Sequence, residues 1–177
     1  MDYQKMPFKI PKESLTYEVD SAFVVSAIEN IIKSFIEQRK NKIILNTNLK
    51  LGLPMENINK IAGPIIEAWA FEVFHEINAD INNAYHLFNV ESRPRLDMAD
   101  ILLQFKRNDT AITANVDSKA TAEDIESSGK GPNITSYSRI RTAYVNDPDF
   151  MFIILSLKHK VYSERSNVAY GRNYGNS

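Results

Sequence analysis

The sequence predicts an α/β fold in which a mixed central sheet is flanked by helices. Three observations lead there. Two long stretches in the first half of the chain repeat apolar residues at helical spacing, and the middle switches to strict alternation on either side of a turn-like Asn108-Asp109. A continuous apolar run at residues 150–157 then has the length and character of a buried central strand. The order helix, helix, hairpin, helix, strand describes one domain over residues 1–177, with an irregular arm at 1–19, a core at 20–157 and a polar tail at 158–177.

Each element has its own warrant. Asp20-Ser21 are the expected cap of the first helix. Behind them Val24, Val25, Ile28, Ile31, Ile32, Phe35 and Ile36 recur at helical spacing, and Arg39-Lys40 place positive charge at its C-terminus. A second helix spans about 57–78, with Ile58, Ile61, Ile65, Ala68, Trp69 and Val73 as its apolar positions. Gly63-Pro64 is expected to kink or restart it, because proline is tolerated in a first turn and disfavoured inside a helix. Residues 100–105 read as a strand. Residues 111–117 read as a second, apolar at even numbers and polar at odd ones. Residues 121–132 form a polar loop. A third helix runs from Asn133 to about Val145, carries Ile134, Tyr137, Ile140 and Tyr144 on one side, and stops at Asp147-Pro148.

Composition excludes several classes. There is no cysteine, hence no disulfide framework, cysteine nucleophile, or Cys-based zinc or iron–sulfur site, and the usage fits a reducing cytoplasm. No apolar run approaches the ~20 residues of a membrane span, and Met1-Asp2-Tyr3-Gln4-Lys5 lacks the layout of a signal peptide. The formal net charge of −1 is not that of a nonspecific nucleic-acid coat. From Lys130 onward, however, seven basic residues face three acids, a local excess that suits an anionic partner. His75, His86 and His159 lack metal-ligand spacing, and Trp69 sits at core spacing. Neither a P-loop nor a Gly-x-Ser-x-Gly elbow is present.

The chemistry-bearing stretch is 100–119. Asp117 and Lys119 lie two apart on a strand, so their side chains leave the same face. If Asn108-Asp109 is a two-residue turn, opposing residue numbers sum to 217 and Asp100 faces Asp117. Two carboxylates and a lysine then converge at one end of the sheet. Like charges placed opposite each other destabilise a sheet, so they need a compensating partner. A hard divalent cation is one, since Mg²⁺ is held by one or two carboxylates plus substrate phosphate. Pairing of each carboxylate with a surface lysine is another. A longer hairpin would put Asp97 in place of Asp100, and a one-residue slip would move one carboxylate to the other face.

Asp100 before a short strand, followed by Asp117-Ser118-Lys119, resembles the PD-(D/E)xK nuclease signature, closest to HincII-like type II restriction endonucleases. Four segments carry the likeness in matching order: Ala62-Gly63-Pro64-Ile65-Ile66-Glu67, Ala99-Asp100-Ile101-Leu102-Leu103, Val116-Asp117-Ser118-Lys119 and Pro132-Asn133-Ile134-Thr135-Ser136. It covers roughly residues 60–157. The resemblance implies a restriction-endonuclease-like core that hydrolyses phosphodiester bonds of duplex DNA at a short sequence. It also implies Mg²⁺, with Mn²⁺ as a substitute, and a cytoplasmic homodimer. Asp100 and Asp117 would bind the metal, Lys119 would orient or activate the attacking water, and Glu67 would be a further acid at the site. Asn133 and Ser136 would approach the DNA, where asparagine reads adenine through two hydrogen bonds. Lys130, Arg139 and Arg141 would reach phosphates. Restriction enzymes of this type continue well past the strand at 150–157, so the tail reads as a shortened C-terminus. The alternatives are a repair or resolvase-type nuclease of the same superfamily, a non-catalytic or partner-dependent DNA-binding remnant, and a purely structural domain.

Overall fold

The computed structural model describes residues 9–49, 55–123 and 134–162, with backbone alone at Met55, Glu56, Asn59, Ile134, Thr135 and Ser136. Helix α1 (Tyr17–Glu37) starts ahead of the expected Asp20-Ser21 cap. The reason lies upstream: Ser14 Oγ accepts hydrogen bonds from the backbone N–H of Thr16 (3.3 Å) and Tyr17 (3.0 Å), so Ser14 satisfies the first orphan donors. Asp20 instead sits inside the first turn and pairs with Arg107 at the end of a strand. Val24, Ala27, Ile28, Ile31, Ile32 and Phe35 are buried along one stripe, whereas Val25 and Ile36, expected on that stripe, are exposed. Helix α2 (Met55–Ala79) runs through Pro64, and no new helix begins at Gly63-Pro64 as expected. Pro64 and Lys60, whose carbonyl loses its N–H partner, both lie on the exposed side of the helix.

The described sheet has four strands in the order β1-β2-β3-β4: β1 (Leu87–Ser92), β2 (Ile101–Arg107), β3 (Thr110–Ala122) and β4 (Met151–His159). β1, β2 and β3 are antiparallel neighbours; β4 runs parallel to β3, which requires a crossover, and helix α3 (Ile134–Asn146) lies in that connection. β1 was not legible in the sequence. It buries only Leu87 fully and its register shifts between Leu87 and Asn89, so it shows no clean alternation. β3 extends well past residue 117, taking in Thr121 and Ala122 from the expected loop. The expected loop residues 124–132 lie outside the described residues.

β4 corrects a sequence expectation. Its apolar run suggests a central strand covered on both faces, yet among the described residues it is one of the two outer strands, with Met151 alone fully buried and Ile154 47% exposed. Ile153, Leu155 and Leu157 pack against the core, while Phe152 and Ile154 belong to the opposite face. The core itself joins the buried stripe of α1 to Ala70, Val73 and Phe74 of α2 and to Leu103, Phe105, Ile112, Ala114 and Val116 of the hairpin.

The β2–β3 turn has the predicted two-residue form. Asn108 (φ 46°) and Asp109 (φ 63°) are both left-handed, as the tight turn matching strand twist requires. Such a conformation costs a residue with a Cβ about 1–2 kcal/mol. Replacing Asp109 by glycine relieves that cost and loses only the exposed Lys106–Asp109 pair at 3.1 Å. A thermal melt of Asp109→Gly is therefore expected to show a midpoint raised by roughly 2–4 °C.

Candidate active site

The hairpin register places the site. Ile101 pairs with Val116 and Arg107 with Thr110, so the expected pairing holds along the whole ladder. Asp100 continues it for one more residue: its N–H donates to Val116 O at 3.0 Å. Asp100 therefore stands opposite Asp117, and its Oδ2 accepts the backbone N–H of Ser118 at 2.8 Å. One residue on, Lys119 Nζ donates to Asp117 Oδ1 at 2.8 Å. The alternation that buries Val116 and Ser118 sends Asp117 and Lys119 to the opposite face.

The electrostatics show how close these groups lie. Burial pushes the Asp117 carboxyl above the ordinary carboxylate range; Lys119 draws it back in part, and Asp100 adds to the rise. Glu67, from the middle of α2, is also raised, by burial and then by the charge of Asp100, with Lys119 opposing and Asp117 reinforcing. The fold thus brings Glu67, Asp100, Asp117 and Lys119 into one electrostatic neighbourhood. Asp97 is not part of it: its carboxylate pairs with Arg93 Nε at 3.0 Å and its N–H closes a turn onto Pro94 O at 2.8 Å.

The residues expected to meet DNA are less gathered. Lys130 and Asn133 lie outside the described residues, and Ser136 is placed on α3 by its backbone alone. Arg141 is exposed on α3. Arg139 donates from Nη1 and Nη2 to Leu96 O, at 3.3 and 3.4 Å. His75 stacks at a tilt on Phe71, His86 occupies a left-handed turn position, and among the described residues neither ring nitrogen of His159 has a hydrogen-bond partner. Trp69 packs against the core and donates to Lys40 O. Two contacts had no signature in the sequence: the Ser118 N–H on Asp100, because a backbone donor belongs to any residue type, and the Arg139–Leu96 contact, because it spans 43 residues.

The donor set fits a hard divalent cation. Two carboxylates in mutual contact supply oxygen ligands, and substrate phosphate and water complete such a shell. Among the described residues there is no group of three or more His, Cys, Asp or Glu side chains arranged to hold a metal by themselves. Lys119 forms an ion pair with Asp117 of that carboxylate pair.

A mixed sheet with helices against it, and an Asp…Asp-x-Lys constellation at the end of its hairpin, defines the class: a restriction-endonuclease-like core carrying the PD-(D/E)xK pattern. Residues 4–170 match the family described as type II restriction endonuclease HpaI, and the chain belongs to that family. It is 56% identical over 166 residues to the type II restriction enzyme HpaI of Haemophilus parainfluenzae, an alignment covering 94% of this chain and 65% of that enzyme. No helix among the described residues is long and apolar enough to cross a membrane.

Ionising Asp117 opposes folding. Its pKa is raised in the folded state, so the stability it contributes is present below the ordinary carboxylate pKa and is lost as pH rises through the folded value. Asp117→Asn never ionises. Melting experiments are expected to find it more stable than the parent at pH 7.5, with the difference vanishing near pH 3.

Proposed function

We propose that this chain is a type II restriction endonuclease, hydrolysing phosphodiester bonds of duplex DNA at a short specific sequence with Mg²⁺. The observation that carries this reading is the convergence of Asp100, Asp117 and Lys119 at one end of the β2–β3 hairpin. Kinship with an enzyme named as a type II restriction enzyme supports it, although the chain spans only 65% of that relative's length.

Each residue has a role that follows from its place. Asp100 and Asp117 would hold the metal, with the Ser118 N–H fixing the orientation of the Asp100 carboxylate. When bound, Mg²⁺ would supply positive charge at the scissile phosphate; Mn²⁺, which takes the same oxygen ligands, is the expected substitute. Lys119 lies at the carboxylate pair with its side chain half-exposed, placed to hold the attacking water and to offset charge developing on the phosphate. Glu67 is the candidate acceptor for the proton that water releases, because burial and Asp100 make its carboxylate more basic than usual. The water oxygen forms the new bond to phosphorus, and the bond from phosphorus to the leaving sugar oxygen breaks.

The segment containing Lys130, Asn133 and Ser136, together with Arg141 on α3, would meet DNA. Asparagine supplies paired hydrogen bonds to adenine, and the cations supply phosphate contacts. Two such sites related by a two-fold axis would cut both strands of a duplex, which favours a homodimer.

The test is cleavage of unmethylated phage DNA. Discrete fragments are expected with Mg²⁺ and none with EDTA, and Lys119→Ala and Asp117→Ala are expected to lower the rate by 10²–10³-fold or more. Unchanged cleavage by either variant would overturn the assignment. A preference for branched over linear DNA would indicate a resolvase instead. Activity needs ionised carboxylates, and Asp117 and Glu67 titrate above their ordinary range. Single-turnover rates are therefore expected to rise with pH through values above the ordinary carboxylate range, and the Glu67→Gln profile to lose part of that rise.

A further inference from the structure

Residues 93–100 deliver Asp100 to the site from the end of β1. Their last two residues are fastened to the fold, Ala99 by burial and Asp100 by its bonds to Val116 and Ser118, whereas residues 93–97 are fastened mainly among themselves. Arg93 N–H donates to Asp100 O at 2.8 Å, Asp97 N–H donates to Pro94 O at 2.8 Å, and Arg93 pairs with Asp97 at 3.0 Å. Leu96 stands at the crest, 87% exposed, so no apolar packing holds it down. Among the described residues, the hydrogen bonds reaching the crest from another element are the two from Arg139, both to the Leu96 carbonyl. Met98, two residues before Asp100, lines a shallow groove with Ser138, Arg139 and Thr142 of the same helix.

Helix α3 is itself tied down on a different side. Tyr144 exchanges a hydrogen bond with Tyr17 of α1 and meets Phe150, which leads into β4, edge-on at 5.4 Å between ring centroids. Tyr144 lies about 7.5 Å along the helix axis from Arg139 and on another face. One side of α3 is thus moored to α1 and the start of β4, and the other reaches the turn at 94–97.

We propose that Arg139 is a positioning residue: by gripping the Leu96 carbonyl with both terminal nitrogens, it holds the 93–100 segment so that the Asp100 carboxylate meets Asp117 and Lys119. This rests on the function proposed above and gives Arg139 a task other than phosphate contact. The planar guanidinium places two donors on one acceptor, which a lysine cannot reproduce. Displacements of about 1 Å at a reacting group cost on the order of 10²-fold in rate.

The test compares Arg139→Ala and Arg139→Lys with the parent chain by three readouts. Hydrogen exchange in Arg139→Ala is expected to speed up at least tenfold at the Asp97 and Asp100 amides and to rise at the Ser118 amide, which rests on the Asp100 carboxylate, with residues 110–115 unchanged. Single-turnover cleavage at saturating DNA is expected to fall about tenfold or more, and Arg139→Lys to restore part of both effects. DNA affinity in Ca²⁺, and its slope against salt, are expected to stay as in the parent. Unchanged exchange at residues 97 and 100 would overturn the proposal. So would a loss of affinity with a salt slope reduced by about one at unchanged rate, since that marks a phosphate contact. If the parent chain cuts no DNA while exchange still rises in Arg139→Ala, the proposed function fails and the positioning role stands.

Discussion

The register of the β2–β3 hairpin is the constraint on which the site depends. A two-residue turn at Asn108-Asp109, with both residues left-handed, sets Ile101 against Val116. That pairing carries Asp100 to the level of Asp117 and the Ser118 N–H onto its carboxylate. It also decides which face each residue takes. Ile112, Ala114 and Val116 go into the core, and the alternate residues go to the polar face with Asp117 and Lys119. A slip by one residue would exchange the two sets and bury the carboxylates in an apolar core. The core and the site therefore stabilise the same register, the core through burial and the site through the Asp100–Ser118 bond.

The site is held against its own electrostatics. Three carboxyl groups share a partly buried region in which Lys119 is the cation acting on both Glu67 and Asp117. Burial and mutual repulsion raise both carboxyls, so ionisation is resisted by the fold and favoured by whatever positive charge enters. Such a cluster is costly in a free protein and suited to a divalent cation and a phosphate, which explains why strain of this kind gathers where chemistry is done. Helix α2 supplies Glu67 on one of its faces while Ala70, Val73 and Phe74 anchor the same helix in the core, so the acid comes from a rigid element.

Around this centre the structure uses few but long-range ties. Asp20 with Arg107 joins α1 to the hairpin, Tyr17 with Tyr144 joins α1 to α3, and Arg139 with Leu96 joins α3 to the approach of Asp100. Each is polar or aromatic and lies outside the main core. The helix following the proposed DNA-facing segment is thereby fixed by specific contacts more than by wide apolar burial.

Much was legible in the residues themselves. Period-3.6 repeats mark the helices, period-2 alternation marks β2 and β3, and the Asn-Asp pair sets their register, so the sequence alone groups Asp100, Asp117 and Lys119. These features are local: neighbours in sequence dictate them through backbone geometry and side-chain period. What only the tertiary structure decided depends on distant partners. Ser14, which accepts from the first amide of α1, is itself held by the distant Asp149, Pro64 stayed inside α2, and β1 pairs with the edge that β2 offers. β4 took an outer position among the described strands although its residues read as central. The proximity of Glu67 to the site and the grip of Arg139 on Leu96 join residues by packing or by a backbone acceptor. Such contacts leave no trace in residue type or spacing, because any carbonyl can accept the bond and only the folded chain determines which one is within reach.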